Sequence, residues 1–468
     1  MKKTIQTVIE REYDYTCKII QLSDFIKKQY PDIDFDAFRK KPIDYYDKLI
    51  DYGNRLREDN QYSVLSELAI NDITVQREID KSQSEKYTSQ RRCYIIDSIK
   101  NNEELELFRL VYRDIFYFIG VFTSLENRKK NLEDKGVKTD EVFKLIDRDS
   151  GEEIPFGQKV SNTFMESDLF LRLDKSTYKT VESKIRRFLN LIFESDIVTP
   201  SSHENAMYLA AAAAGNSACL SRQVGASITD ENGDVLSVGW NDVPKFGGGV
   251  YQYLEKDPVS SSDHRCMNLN GGVCFNDKEK QKIASQLVNE LIVNKLIQEG
   301  ERKKAVDIVL KSKIKELIEF SRAVHAEMLA IIHGSQKSGN KMIGGRLYCT
   351  TYPCHNCARH IVAAGIKEVY YIEPYSKSLA LRLHWDSVTE DESKNGYVKI
   401  LMYEGVAPRR YLELFKMTPN SRKTGGTKLN FSTKEQTPKN TLSLQAIPLL
   451  EKQVTEDLVR RNLIGKKL

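Results

Sequence analysis

His325-Ala326-Glu327, followed by Pro353-Cys354-His355-Asn356-Cys357, carries more chemical information than any other part of this chain. Taken alone, Cys354 and Cys357 form a Cys-x-x-Cys that reads equally as a redox pair or as half of a structural zinc site. His325 alone reads as a packed core residue of an apolar helix. The combination reads differently. Residues three apart share one side of a helix turn, so both thiolates can face one point. His325 stands 29 residues before Cys354, which leaves room for a helix, a turn and a strand over 347–351 to bring it back. One imidazole and two thiolates leave the fourth tetrahedral position to water, and an open position marks a catalytic zinc rather than a structural one. Glu327 and His325 are two apart and can converge only near a helix end. There the carboxylate would reach the water without binding the metal, and zinc would bring that water's pKa toward neutrality.

Outward from this core the pattern is mixed. Residues 324–371 read helix, strand, helix, strand. Residues 204–220 are Ala-rich and helical. Residues 225–240 read as two strands around the turn Asp230-Glu231-Asn232-Gly233. Between them and His325, residues 242–321 read as an insertion that opens on Gly247-Gly248-Gly249 and closes in charged helical sequence over 278–320. The texture changes near 197–202, where Thr199-Pro200-Ser201-Ser202 reads as a linker or a helix start. The amino-terminal part alternates helical periodicity (36–57, 103–113) with strand-like runs (16–22, 115–123), which favours an α/β layer. Residues 147–157 are turn-rich and polar, a second candidate insertion. Residues 418–468 hold ten basic and four acidic residues and read as a mostly solvated tail with one short helix near Val454, or as a partner-binding arm.

Composition excludes several classes. At 468 residues with 40% apolar content the chain can bury a sizeable core in two or three domains. A net charge of +5 argues against a nucleic-acid coat. The most apolar stretch, 107–122, contains Arg109, Arg113 and Asp114, so no membrane span is expected. The start leads into charged residues with no secretory pattern, and eight Cys without an export signal read as reduced, metal-bound or buried. A cytoplasmic protein is expected.

The motif pair H-x-E…P-C-x-x-C resembles the signature of zinc deaminases, and the sequence is similar to the cytidine and deoxycytidylate deaminase superfamily. Gln223-Val224-Gly225-Ala226 and Gly239-Trp240-Asn241-Asp242-Val243-Pro244 resemble that superfamily's first hairpin and following loop, and residues 357–366 resemble its deoxycytidylate branch. The resemblance implies an α/β/α sandwich, zinc on His325, Cys354 and Cys357, and Glu327 as proton shuttle. It also implies a sugar contact by Asn241, base recognition by backbone near Ala326, and a substrate-side role for Ala226. A turn residue is the alternative for Asn241. Residues 373–380, Leu383-His384 and 405–411 resemble the anti-phage dCTP/dCMP deaminases, in which a P-loop kinase-like domain precedes the deaminase. The segments 21–24, 91–98 and 118–122 fit such a domain.

The implied division is a P-loop kinase-like domain without Walker A (1–195), a zinc-dependent deoxycytidylate deaminase domain (196–417) and a polar basic tail (418–468). The family pattern expects a first strand and a Gly-rich phosphate loop that this sequence does not contain. No G-x-x-x-x-G-K-[ST] occurs, and the nearest stretch, 334–341, has Asn340 in the lysine place. Either the first domain does not bind nucleotide through that loop, or the start lies upstream of Met1. ATP hydrolysis is not expected.

Arg222, Lys245 and Arg265 stand near the right segments to meet phosphate, with solvated surface roles as the alternative. Gly247 to Gly249 reads as a loop closing over substrate or as an ordinary flexible loop. His264, Cys266 and Cys274 read as a second, incomplete metal cluster or as a loop with buried or free thiols. Three functions compete: a deaminase of free deoxycytidine nucleotides, a base deaminase of tRNA or single-stranded DNA, and a regulatory module sensing a phage product. The long insertion and the small basic excess favour the first. A homo-oligomer and a regulatory RNA or phage-derived trigger are implied by resemblance only.

Overall fold

The computed structural model describes residues 1–82, 91–150, 160–173, 178–253, 263–269, 271–375, 377–419, 421–440 and 444–465. They form two compact units, Met1–Thr199 with Glu404–Leu468, and Pro200–Tyr403. Residues 151–157 of the first expected insertion, 254–262 and 270 of the second, and Ser376 lie outside the described residues.

In the first unit, helix α1 (Lys2–Tyr13) leads into strand β1 (Thr16–Gln21). Helix α2 (Val64–Ser82) then precedes strand β2 (Arg92–Asp97). The two strands pair in parallel from Thr16↔Arg92 to Gln21↔Asp97. Helix α3 (Asn102–Tyr112) precedes strand β3 (Ile119–Phe122), which pairs in parallel with β4 (Leu169–Arg172). The expected strand over 115–123 is shorter because Arg113 takes φ 49° and a 3-10 turn occupies Arg113–Ile115. Phe118 N–H then bonds the Asp168 carboxylate at 2.7 Å before pairing begins. Helix α4 (Tyr178–Phe193) closes the segment. A buried ion pair, Arg57 with Glu104 at 2.8 Å, joins the first turn of α3 to the helix Pro42–Asp59.

The second unit is a six-stranded mixed sheet between helices. Helix α5 (Ser202–Ala214) starts at a complete capping box: Glu204 N–H donates to Ser201 Oγ, and Ser201 N–H donates to the Glu204 carboxylate. Strands β5 (Gly225–Thr229) and β6 (Val235–Trp240) form the expected antiparallel hairpin. Helices α6 (Phe275–Val293) and α7 (Arg302–Lys311) fill the insertion. Then come α8 (Ala326–Ser338), β7 (Arg346–Thr351), α9 (His355–Ala363), β8 (Glu368–Glu373), β9 (Val388–Thr389) and β10 (Val398–Met402). The order is β6-β5-β7-β8-β10-β9, with β7, β8, β10 and β9 parallel and the hairpin antiparallel.

Two glycines let helices lie against this hairpin from opposite faces. A Cβ on Gly225 would stand 1.9 Å from the Ala210 carbonyl oxygen in α5, and one on Gly239 would stand 2.4 Å from the Ala326 oxygen in α8. Because Ala226 pairs with Gly239 and Gly225 with Trp240, each glycine serves one face.

The chain then returns to the first unit, which differs from the expected deaminase segment ending at 417 and solvated tail beyond it. Strand β11 (Gly405–Val406) pairs antiparallel with β4. A short hairpin of β12 (Lys423–Thr424) and β13 (Thr427–Lys428) is exposed. Helix α10 (Ile447–Arg460) puts Ile447 and Leu458 into the same core as Leu65, Ile70 and Phe108. Its apolar positions at 447, 450, 454 and 458 form one helical stripe, a signal that the segment's polar average conceals.

Candidate metal and active site

Each metal donor of the second unit sits at a helix start. His325 is the residue before α8, with extended backbone (φ −72°, ψ 154°), and Cys354 is the equivalent residue before α9 (φ −71°, ψ 166°). Cys357 and Glu327 lie in the first turns of the two helices. Strand β7, in the middle of the sheet between β5 and β8, ends at Thr351 and delivers the Pro353-Cys354 corner at its carboxyl end. Two helix N-termini thus face one point, where free N–H groups and helix dipoles favour anionic sulfur.

The three donor atoms of His325, Cys354 and Cys357 lie within 4.8 Å of one another. His325 Nδ1 is 3.3 Å from each sulfur. Among the described residues this is the one such group of three. Two soft thiolates and an imidazole suit zinc, and three protein donors are the number found in open sites.

The side chains of the cluster polarise one another. A hydrogen bond from Cys357 and the neighbouring imidazole pull the Cys354 thiol down to about 4. His325 is pushed up to about 9, chiefly by its bond to Cys354 and despite burial. Burial keeps the Cys357 thiol well above its ordinary range. Metal binding at thiol and imidazole donors is coupled to proton release.

Glu327 is 4% exposed and lies beside this group. Burial, and then the Cys354 charge, raise its carboxyl above the usual range. Its other neighbour is Cys349, a fully buried thiol on β7 whose own pKa is driven up by burial and by Glu327. Sequence reading missed Cys349. The available signal was strand parity, since Leu347, Cys349 and Thr351 alternate onto one face.

The remaining sequence-derived residues divide. Ala226 and Ala326 are fully buried in the core that contains Cys354 and Cys357. The Asn241 amide donates to Arg222 O at 2.8 Å and accepts from Val224 N–H at 2.7 Å. It pins the strand entering the site and keeps one amide hydrogen and one lone pair. Arg222 pairs with Glu373 at 2.8 Å and lies over the Tyr375 ring. Arg265 is held by Asp263 at 2.7 Å and is buried, a structural role, and Lys245 is exposed. Gly247, Gly248 and Gly249 all take positive φ in a turn closed by Lys245 N–H on Gly249 O. His264, Cys266 and Cys274 do not bring three donors together among the described residues. His264 packs on Tyr251, and the Cys274 sulfur lies 3.7 Å from Ser221 Oγ.

Residues 200–373 match the family described as the cytidine and deoxycytidylate deaminase zinc-binding region. ComE operon protein 2 of Bacillus subtilis (strain 168) is 49% identical over 55 residues, 12% of this chain and 29% of that protein. This chain thus spans less than a third of that relative's length. The deoxycytidylate deaminase of Enterobacteria phage T2 is 26% identical over 176 residues, 37% of this chain and 78% of that protein. The dCMP deaminase of cyanophage S-TIM5, solved with dCMP and dUMP, aligns over 44% of this chain and 99% of that chain, at 21% identity and a TM-score of 0.26. Zinc is the metal that His325, Cys354 and Cys357 fit, inside the stretch that matches this zinc-binding region. No helix among the described residues is long and apolar enough to cross a membrane.

Proposed function

We propose that the second unit is a zinc-dependent hydrolytic deaminase of deoxycytidine nucleotides, dCTP or dCMP, producing the deoxyuridine nucleotide and ammonia. The observation that carries this reading is a three-donor metal group with a buried carboxyl, Glu327, beside it, inside the stretch matching the deaminase zinc-binding region. Zinc supplies Lewis-acid activation of water near neutral pH. Glu327 takes a proton from the attacking water and delivers it to N3 of cytosine, which makes C4 electrophilic. A C4–O bond forms. Glu327 then takes the remaining proton from the C4 hydroxyl and passes it to the exocyclic amine; the C4–N bond breaks as the C4 carbonyl forms, and ammonia leaves. Ala226 and Ala326, buried against the donors, line the base side, and Asn241 uses its remaining amide hydrogen on the sugar.

The resemblance of residues 373–380 and 405–411 supports placing this activity in anti-phage depletion of nucleotide pools. That reading includes a homo-oligomer, an RNA or phage-derived trigger, and a first unit derived from a P-loop kinase-like domain.

Zinc-loaded protein given dCMP, dCTP, CMP, CTP and single-stranded oligonucleotides separately should release ammonia from dCMP or dCTP. Turnover of oligonucleotides alone would overturn the free-nucleotide reading. Glu327→Gln should retain zinc and folding yet lower kcat by about 10²–10⁴-fold; full activity in that variant would remove Glu327 from the mechanism.

A further inference from the structure

Strands β7, β8 and β10 run parallel and end at one rim of the second unit's sheet. Ligands of open α/β sheets sit beyond such carboxyl ends. There β7 delivers the Pro353-Cys354 corner, so the segment leaving its neighbour β8 is the next wall of the site. That segment, residues 373–380, has no part in the deamination chemistry described above.

The segment is tied to the metal loop. Tyr352 N–H donates to Glu373 O at 2.8 Å, Thr351 Oγ1 to the Glu373 carboxylate at 3.1 Å, and Ser378 Oγ to Pro353 O at 2.7 Å. Pro353 immediately precedes the donor Cys354. Ser378 N–H closes a turn on Tyr375 O at 3.0 Å, and Tyr375 packs against the core that holds Cys354 and Cys357. Lys377 is thus carried on a short, pinned turn beside the metal loop.

The path to Lys377 follows the build of a nucleotide. Asn241, on the sugar side, donates to Arg222 O at 2.8 Å, and the Arg222 guanidinium lies 5.7 Å from the centre of the Tyr375 ring. Tyr375 opens the turn that carries Lys377. Base at the donors, sugar at Asn241 and phosphate beyond Tyr375 is the order in which those parts are joined. The charges agree. Arg222 is paired with Glu373 at 2.8 Å and Arg265 with Asp263 at 2.7 Å. Lys377 is half-buried, and among the described residues no hydrogen bond or ion pair engages its ammonium. An ammonium partly withdrawn from water without a counter-ion is stabilised by an anionic ligand.

We propose that Lys377 binds the phosphate attached to the sugar and so selects deoxycytidine nucleotides over the free nucleoside. The phosphate it meets is the one that dCMP and dCTP share, so Lys377 does not separate those two. This role rests on the deaminase reading of the same unit.

Lys377→Met keeps the apolar stem and removes the charge. Steady-state deamination of dCMP and of deoxycytidine is measured on the zinc-loaded full chain for the parent, Lys377→Met and Lys377→Arg. The ratio of kcat/KM for dCMP to that for deoxycytidine should fall about ten- to hundredfold in Lys377→Met, through KM, which is the reach of a charge-assisted hydrogen bond. Lys377→Arg should recover most of it. Calorimetry with dUMP and deoxyuridine should show the same split without turnover, with dUMP weakened and deoxyuridine unchanged. An unchanged ratio and unchanged dUMP binding in Lys377→Met overturn this role and leave the deaminase reading intact. Equal losses on dCMP and deoxycytidine would mark a structural role and also overturn it. A ratio moved by Lys245→Met instead would place the phosphate at the exposed turn 245–249, again against Lys377. A parent that deaminates no deoxycytidine nucleotide fails the deaminase reading, and Lys377 with it.

Discussion

The two units are held together by contacts of very different reach along the chain. In the second, the chemistry comes from neighbours in sequence: β5 and β6 meet across a tight turn, and α8, β7 and α9 deliver every metal donor within residues 325–357. In the first, closure depends on segments far apart. Arg172 N–H bonds Glu404 across 232 positions, and Arg77 pairs with Glu451 across 374. Local elements with fixed spacing leave a pattern that can be read from residue types. Long-range closure leaves none, because any apolar stripe could pack on any other.

The largest test of this contrast is Gly225→Ala. Its Cβ would stand 1.9 Å from a backbone oxygen of α5, so the helix must move. A loss of about 3 kcal/mol or more is expected, seen as lower chemical-denaturation stability and weakened zinc retention. A variant that kept both would show that the hairpin and α5 tolerate separation. The counterpart in the first unit is Leu458→Ala. Leu458 is fully buried in α10, and its truncation should cost about 3 kcal/mol while zinc content is unchanged. A change below about 0.5 kcal/mol would restore the solvated-tail reading. Smaller still is Ser201→Ala, which removes the capping side chain of α5 and should cost about 1 kcal/mol in thermal unfolding. A zero effect would mean the capping box is formed but not needed.

How much was legible follows the same line. The spacing of His325, Cys354 and Cys357 was enough to predict one metal point, and Asp230 to Gly233 was enough to predict the hairpin. Thr199-Pro200-Ser201-Ser202 read as a linker or a helix start, and the Ser201–Glu204 capping box that begins α5 there was a local signal left unread. By contrast, β11 is only two residues long and has no strand signature of its own. Its place on β4 is decided by Val406 entering the core with Leu169 and Leu171. For His264, Cys266 and Cys274 the alternatives were a second metal cluster and a loop with free thiols; closeness in sequence could not decide between them, and among the described residues the three donors do not form a metal group. Cys349 was under-read because its role beside Glu327 comes from strand parity rather than from a motif.

The smallest effect separates the units by pH. Glu12 on α1 takes two bonds of 2.8 Å from Arg186 on α4. The Arg186 hydrogen bonds, reinforced by Arg11, hold its carboxyl down from 4.5 to about 2. The folded value lies below the unfolded one, so the unfolded chain binds more protons in this window. The pair's contribution is complete above about pH 4.5 and disappears as pH falls through about 2. The Glu12 and Arg186 side chains are 23% and 39% exposed, so solvent screening limits the contribution to under about 1 kcal/mol. Glu12→Gln should therefore destabilise the first unit slightly at pH 7, less so in high salt, and match the parent near pH 2. Denaturant titrations at both pH values measure it. A difference that persisted at pH 2 would locate the effect in packing against α4 rather than in charge.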